Sequence, residues 1–122
     1  MAKKIKAIVK RPDEQFGHVT WISDSLENLQ KTVGGYIETV TLDNGVVLIC
    51  NEEGKLKDMP YNFTLRIPPR VTMFDMFDVI NELFGQCKFF GTVIVCGADG
   101  DEFADIPIDF NEWKNLLCEW GN

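Results

Sequence analysis

Four polar side chains bracket the middle of the sequence at spacings that could do chemistry: Tyr36 and Glu38 before an Asp43-Asn44-Gly45 turn, Asn51 and Glu53 after it, with Lys55 close behind. If the chain doubles back at that turn, a phenol, an amide and two carboxylates meet at the open end of a hairpin. Such a set could move a proton or accept hydrogen bonds from a ligand. A plainer use competes with this one. Asn51, Glu52 and Glu53 can cap a turn and satisfy the irregular segment that follows, and a sequence reveals no perturbed environment that would favour catalysis.

Other patterns fail on their spacing. Asp99-Gly100-Asp101-Glu102 with Asp105 has the composition of a calcium loop, but Phe103 stands where the template needs an oxygen ligand and Ala104 where it needs glycine. Gly34-Gly35 precedes a strand rather than opening a helix, so it is no phosphate loop. The lone histidine, His18, sits in a strand-like run and leaves no Ser-His-Asp set to propose. Cys50, Cys87, Cys96 and Cys118 stand far apart without a C-x-x-C pair, and three of them lie in apolar runs. They read as buried, reduced thiols. The sequence therefore predicts no cofactor, no metal site and no recognisable catalytic residue.

The elements that must position these residues are readable from periodicity. Residues 3 to 10 alternate as a half-buried strand, Phe16 to Ile22 form a second, and Pro12-Asp13-Glu14-Gln15 turns one into the other. Asp24 and Glu27 have capping-box spacing before a short helix over about Ser25 to Val33, with Gly34 as its left-handed stop. The central hairpin follows. Asn44-Gly45 as a two-residue type I′ loop sets Asp43 opposite Val46, Leu42 opposite Val47, Val40 opposite Ile49 and Glu38 opposite Asn51. Met59 to Phe63 reads as irregular, closed by Ile67-Pro68-Pro69. Thr72 caps a predicted helix with a Met73, Met76, Phe77, Ile80, Phe84 stripe, ended by Gly85. Lys88 to Cys96 is a buried strand, 97 to 101 a loop, and Asp109 with Glu112 caps a last helix carrying Phe110, Trp113, Leu117 and Trp120. The expected class is α+β: one domain over residues 1–122, a mainly antiparallel sheet of about five strands in ββαββαβα order, and helices packed on it.

Length and charge narrow the function. The 122 residues are 45% hydrophobic with a net charge of −7, enough for one core and a poor fit to direct nucleic-acid binding. Lys3, Lys4, Lys6, Lys10 and Arg11 crowd the start, which reads as an edge strand guarded by lysines against self-pairing. No apolar run approaches the roughly 18 residues of a membrane span and no signal-peptide core is present, so a cytoplasmic protein without membrane contact is expected. The oligomeric state is open, with Trp120 or the Met and Phe stripe as possible contacts.

Asp24 to Gln30, Val33-Gly34-Gly35-Tyr36-Ile37-Glu38, Cys50-Asn51-Glu52-Glu53-Gly54-Lys55, Pro60 with Asn62, and Gly91 to Gly97 together resemble the domain of unknown function 3846 family over roughly residues 24 to 103. The chain departs from that pattern at Phe63, where a basic residue is usual, and in the enlarged Met73 to Phe84 helix. The resemblance implies a short protein of phages, plasmids or conjugative elements, and brings no catalytic residue or cofactor with it. It implies a binding surface at Tyr36, Glu38, Asn51, Glu53 and Asn62, motif residues not needed to fill a core. The expected function is a non-enzymatic accessory protein that binds a host or element-encoded protein. Two alternatives stand beside it: an acidic decoy that mimics nucleic acid before a restriction or defence protein, and a small-molecule binder at the open end of the hairpin.

Overall fold

The structure is a computed structural model that describes residues 3–42, 45–54, 57–65 and 88–117. The predicted Thr72 to Gly85 helix, the Ile67-Pro68-Pro69 segment, Asn44, Lys55, Cys87, Cys118 and Trp120 lie outside the described residues.

Within them the chain is mixed α+β and every strand pair is antiparallel. The order is β1 (Lys4–Lys10), β2 (His18–Ser23), α1 (Leu26–Val33), β3 (Ile37–Thr41), β4 (Val47–Asn51), β5 (Tyr61–Thr64), β6 (Lys88–Phe90), β7 (Val93–Asp99), β8 (Glu102–Ala104) and α2 (Phe110–Leu116). Six strands form one sheet, β2-β1-β7-β4-β3 with β8 beside β7, while β5 and β6 form a separate pair. This differs from the expected five-strand layout in three ways. Tyr61–Thr64 is a strand, β7 runs on to Asp99 through part of the expected 97–101 loop with Glu102–Ala104 as an added strand beyond it, and the Lys88 to Cys96 run divides at Gly91, whose φ of 73° turns the chain out of one sheet and into the other.

The sheet is buried on both sides. On one side Ile8, Leu42, Val46, Leu48, Cys50, Val93 and Val95 pack against Phe63, Leu65, Phe89 and the α2 residues Trp113 and Leu116. On the other, Ile5, Ala7, Val47, Ile49, Ile94 and Cys96 pack against Leu29 and Val33 of α1. Both covers follow from local signals. Ser25 caps α1 by accepting from the Asn28 N–H, one residue later than the predicted Asp24 cap, and Gly34 ends it at φ 85° with its N–H on the Gln30 carbonyl. Asp109 and Glu112 form the predicted capping box. α2 then stops at Leu116 because Leu117 is extended and bridges to Leu65.

The N-terminal strand corrects a second expectation. β1 is not an edge; it lies between β2 and β7. After β8 the chain runs beside β1 as well, with the Lys6 N–H donating to Asp105 and the Ile106 N–H donating to the Lys6 carbonyl. Gly97 permits that approach, since a β-carbon there would stand 2.5 Å from the Asp105 carbonyl oxygen. Among the described residues, β2 and β3 are the two ends of the β2-β1-β7-β4-β3 path.

Candidate functional site

The register of the central hairpin decides where the predicted polar residues go. Thr41 pairs with Val47, Val40 with Leu48, Thr39 with Ile49, Glu38 with Cys50 and Ile37 with Asn51. The Leu42 N–H donates to the Val46 carbonyl at 2.8 Å and the Gly45 N–H to the Leu42 carbonyl at 3.1 Å, so residues 43–45 form the connection. Gly45, at φ 85°, is the left-handed last residue of a three-residue loop rather than the second of a two-residue one. A shift of one residue exchanges faces along a strand. It groups Val40 and Leu42 with Val46 and Leu48 in the larger core, and it parts Glu38 from Asn51. Those two side chains are not the cross-strand neighbours that the Asn-Gly pair predicted.

Each predicted residue then has its own surroundings. Tyr36 is 71% exposed. Its carbonyl accepts from the Glu52 N–H, so its opposite number is Glu52 and not Glu53. Glu38 lies on β3, where its carbonyl faces the Cys50 thiol at 3.6 Å. Asn51 is buried; its amide donates to the Val33 carbonyl at 3.2 Å and its oxygen accepts from the Glu53 N–H at 2.7 Å. It ties the end of α1 to the end of β4, and Gly35 lies against it so closely that a β-carbon would stand 2.8 Å from the Asn51 amide nitrogen. Glu53 makes a surface ion pair with Lys57 at 3.2 Å. Asn62 is buried, donating to the carbonyls of Lys10 at 2.9 Å and Gly91 at 2.6 Å. The five therefore do not form one surface, and both asparagines are spent on main-chain groups.

Asn62 leads to a cluster that sequence reading missed. Lys10 has no exposed surface. Its ammonium donates to Asn62 Oδ1 at 2.5 Å and to the Glu14 carbonyl at 2.7 Å, 5.5 Å from the Phe63 ring centre. Burial pushes its pKa down to about 8, against the pull of the Glu14 and Asp13 carboxylates. A lysine so poised is a nucleophile in principle, but here it is enclosed, and its contacts pin β1 to β5. The signal was present in the sequence: Ala7-Ile8-Val9 breaks alternation, the mark of a strand covered on both faces. Nearby, His18 Nδ1 meets Glu14 Oε2 at 2.9 Å on the surface. Cys50 and Cys96 are buried free thiols. Burial, reinforced by Glu38, raises Cys50 to about 11, and burial, reinforced by Asp24, raises Cys96 to about 12. Among the described residues no group of three or more His, Cys, Asp or Glu is placed to hold a metal ion, and no helix is long and apolar enough to cross a membrane.

A second feature was also unforeseen. Val19 and Trp21 of β2 are 43% and 59% exposed although they share a face with Ile8, a residue of the larger core. Lys6, opposite Trp21, uses its N–H and C=O on Asp105 and Ile106, away from β2. Lys6 and Trp21 are therefore a non-hydrogen-bonded pair, and the N–H and C=O of Trp21 point outward. The Asp24 N–H on the Lys3 carbonyl fixes the same alternation from the strand's end. Val19, two residues from Trp21, faces outward in the same way.

A family model described as a domain of unknown function (DUF3846) matches residues 5–117. The chain belongs to this family. No curated protein and no solved structure matches it. Among the described residues, the DUF3846 match takes in the β1 and β2 hairpin, the β3 and β4 hairpin, α1, α2 and the Lys10 and Asn62 cluster.

Proposed function

We propose that this DUF3846 chain is a non-enzymatic protein-binding module that receives an extended strand along the outer edge of β2, serving a phage or other mobile element by engaging a host or element-encoded protein. The observation that carries this reading is the exposure of Trp21 and Val19 on an outer strand whose backbone donors and acceptors point away from the sheet. Added strands bind through such main-chain groups, and large side chains beside them supply specificity. The opposite outer strand, β3, carries the charge of Glu38, a feature that discourages strand addition.

The decoy alternative draws less support. Asp99, Asp101 and Glu102 gather at one turn, between β7 and β8, rather than along a face. The small-molecule alternative loses its premise with the separation of Glu38 from Asn51.

Immobilised wild-type chain, Trp21→Lys and Tyr36→Ala, each exposed to bacterial lysate, test the proposal. The wild type and the Tyr36 variant are expected to retain a stoichiometric partner that Trp21→Lys loses. A partner that survives Trp21→Lys overturns the assignment to β2, and no partner at all overturns the engagement of a host or element-encoded protein.

A further inference from the structure

Resting on that reading, we infer that the strand received by β2 is the β2 strand of a second copy of this chain, paired antiparallel about a two-fold axis at Thr20.

The usable length of the edge selects this register. Of the outward-facing carbonyls, that of Ser23 is already taken by the Asn28 amide at 3.0 Å. At the other end Gly17, at φ 84°, has left the extended path. Val19 and Trp21 are what remains. With the axis at Thr20, Val19 of each copy stands opposite Trp21 of the other, and each pair exchanges both backbone hydrogen bonds. An axis at Trp21 instead would require the occupied Ser23 carbonyl and would set Val19 against Ser23.

Side chains agree with the same register. Val19 and Trp21 lie on one face of β2, so the pairing covers the exposed apolar groups of each copy with those of the other. On the reverse face Thr20 meets its own counterpart across a non-hydrogen-bonded pair, where β-carbons are about 4.5–5.5 Å apart. His18 there faces Ile22. Val19 to Ser23 carries no charged residue, so two chains of net charge −7 meet without like charges at the seam. The lysines of this region belong to β1, one strand further in. A single short strand buries less than the roughly 1,200–2,000 Å² of stable interfaces, which makes the dimer a concentration-dependent one.

Sedimentation velocity of the full chain from micromolar to millimolar concentration tests this, together with mild oxidation of Thr20→Cys. The expected result is a mass that doubles with concentration for the wild type, stays at one chain for Trp21→Lys, and is locked at two chains by a disulfide in Thr20→Cys, with oxidised wild type and Ser23→Cys as uncross-linked controls. Circular dichroism confirms that each variant folds. A wild type that stays at one chain throughout overturns the inference, as does a dimer indifferent to Trp21→Lys or one in which Thr20→Cys fails to cross-link. A single-chain wild type that still captures a different protein through Trp21 leaves the protein-binding reading standing. A dimer with no further Trp21-dependent partner leaves only the self-pairing.

Discussion

A lysine ammonium with no exposed surface holds its proton against the cost of burial, and in this chain the acceptors beside it are a side-chain amide and a carbonyl rather than a paired carboxylate. The consequence is a definite pH dependence. Because the folded-state pKa of Lys10, about 8, lies below the ordinary 10.5, the unfolded chain binds the extra proton between those values. Stability gained from this group therefore rises as pH climbs from about 8 to 10.5, by at most about 3 kcal/mol. Cys50 and Cys96 act in the opposite sense above pH 9, since their folded pKa values are raised and the unfolded chain loses those protons first. Urea denaturation of wild type and Lys10→Met at pH 7, 9 and 10 separates the two: the wild type should gain on the variant as pH rises, and parallel curves would contradict the assignment. Sequence alone marked Asn51 and Asn62 as available because they are polar. It could not show that backbone carbonyls and N–H groups consume them, since those partners come from other strands. The buried thiols were legible because Cys50 and Cys96 sit in apolar runs.

Elements with local causes were readable. The β1 and β2 hairpin, the glycine stop of α1 and the capping box of α2 are fixed within a few residues, and each formed as expected within a residue or two. Elements held by distant partners were not. β5 is secured by the stacked Phe63 and Phe89 rings, 4.9 Å apart, and the β6 residues that pair with it lie more than twenty positions away. The hairpin register turned on whether Gly45 closes a loop of two residues or three, and the Asn-Gly pair permits both. Two glycines give a test at this scale. Gly34→Ala must hold a left-handed conformation and should cost about 1 kcal/mol. Gly97→Ala drives a β-carbon into the Asp105 carbonyl and should cost about 3 kcal/mol. Thermal melts of both variants check the order, and equal losses would show that the strand beside β7 yields easily.

At the scale of the molecule, the α+β class and the antiparallel sheet followed from composition and pattern, whereas the placement of strands did not. β1 looked like a guarded edge because it carries lysines, yet edge or interior depends on which remote strand arrives beside it. Here that strand is β7, which pairs with β1 on one side and β4 on the other. The β1 and β2 hairpin and the β3 and β4 hairpin share no ladder with each other; among the described residues, 93–96 of β7 carry the ladders that link them. This arrangement governs how the protein is born. A growing chain that has released both hairpins from the ribosome but still holds β7 in the exit tunnel possesses two ribbons that share the cover of α1 but have no ladder between them. Brief protease treatment of stalled nascent chains should therefore find both ribbons cleavable until β7 emerges, and both protected together once it has. Protection won one ribbon at a time would show that β7 is not what closes the sheet.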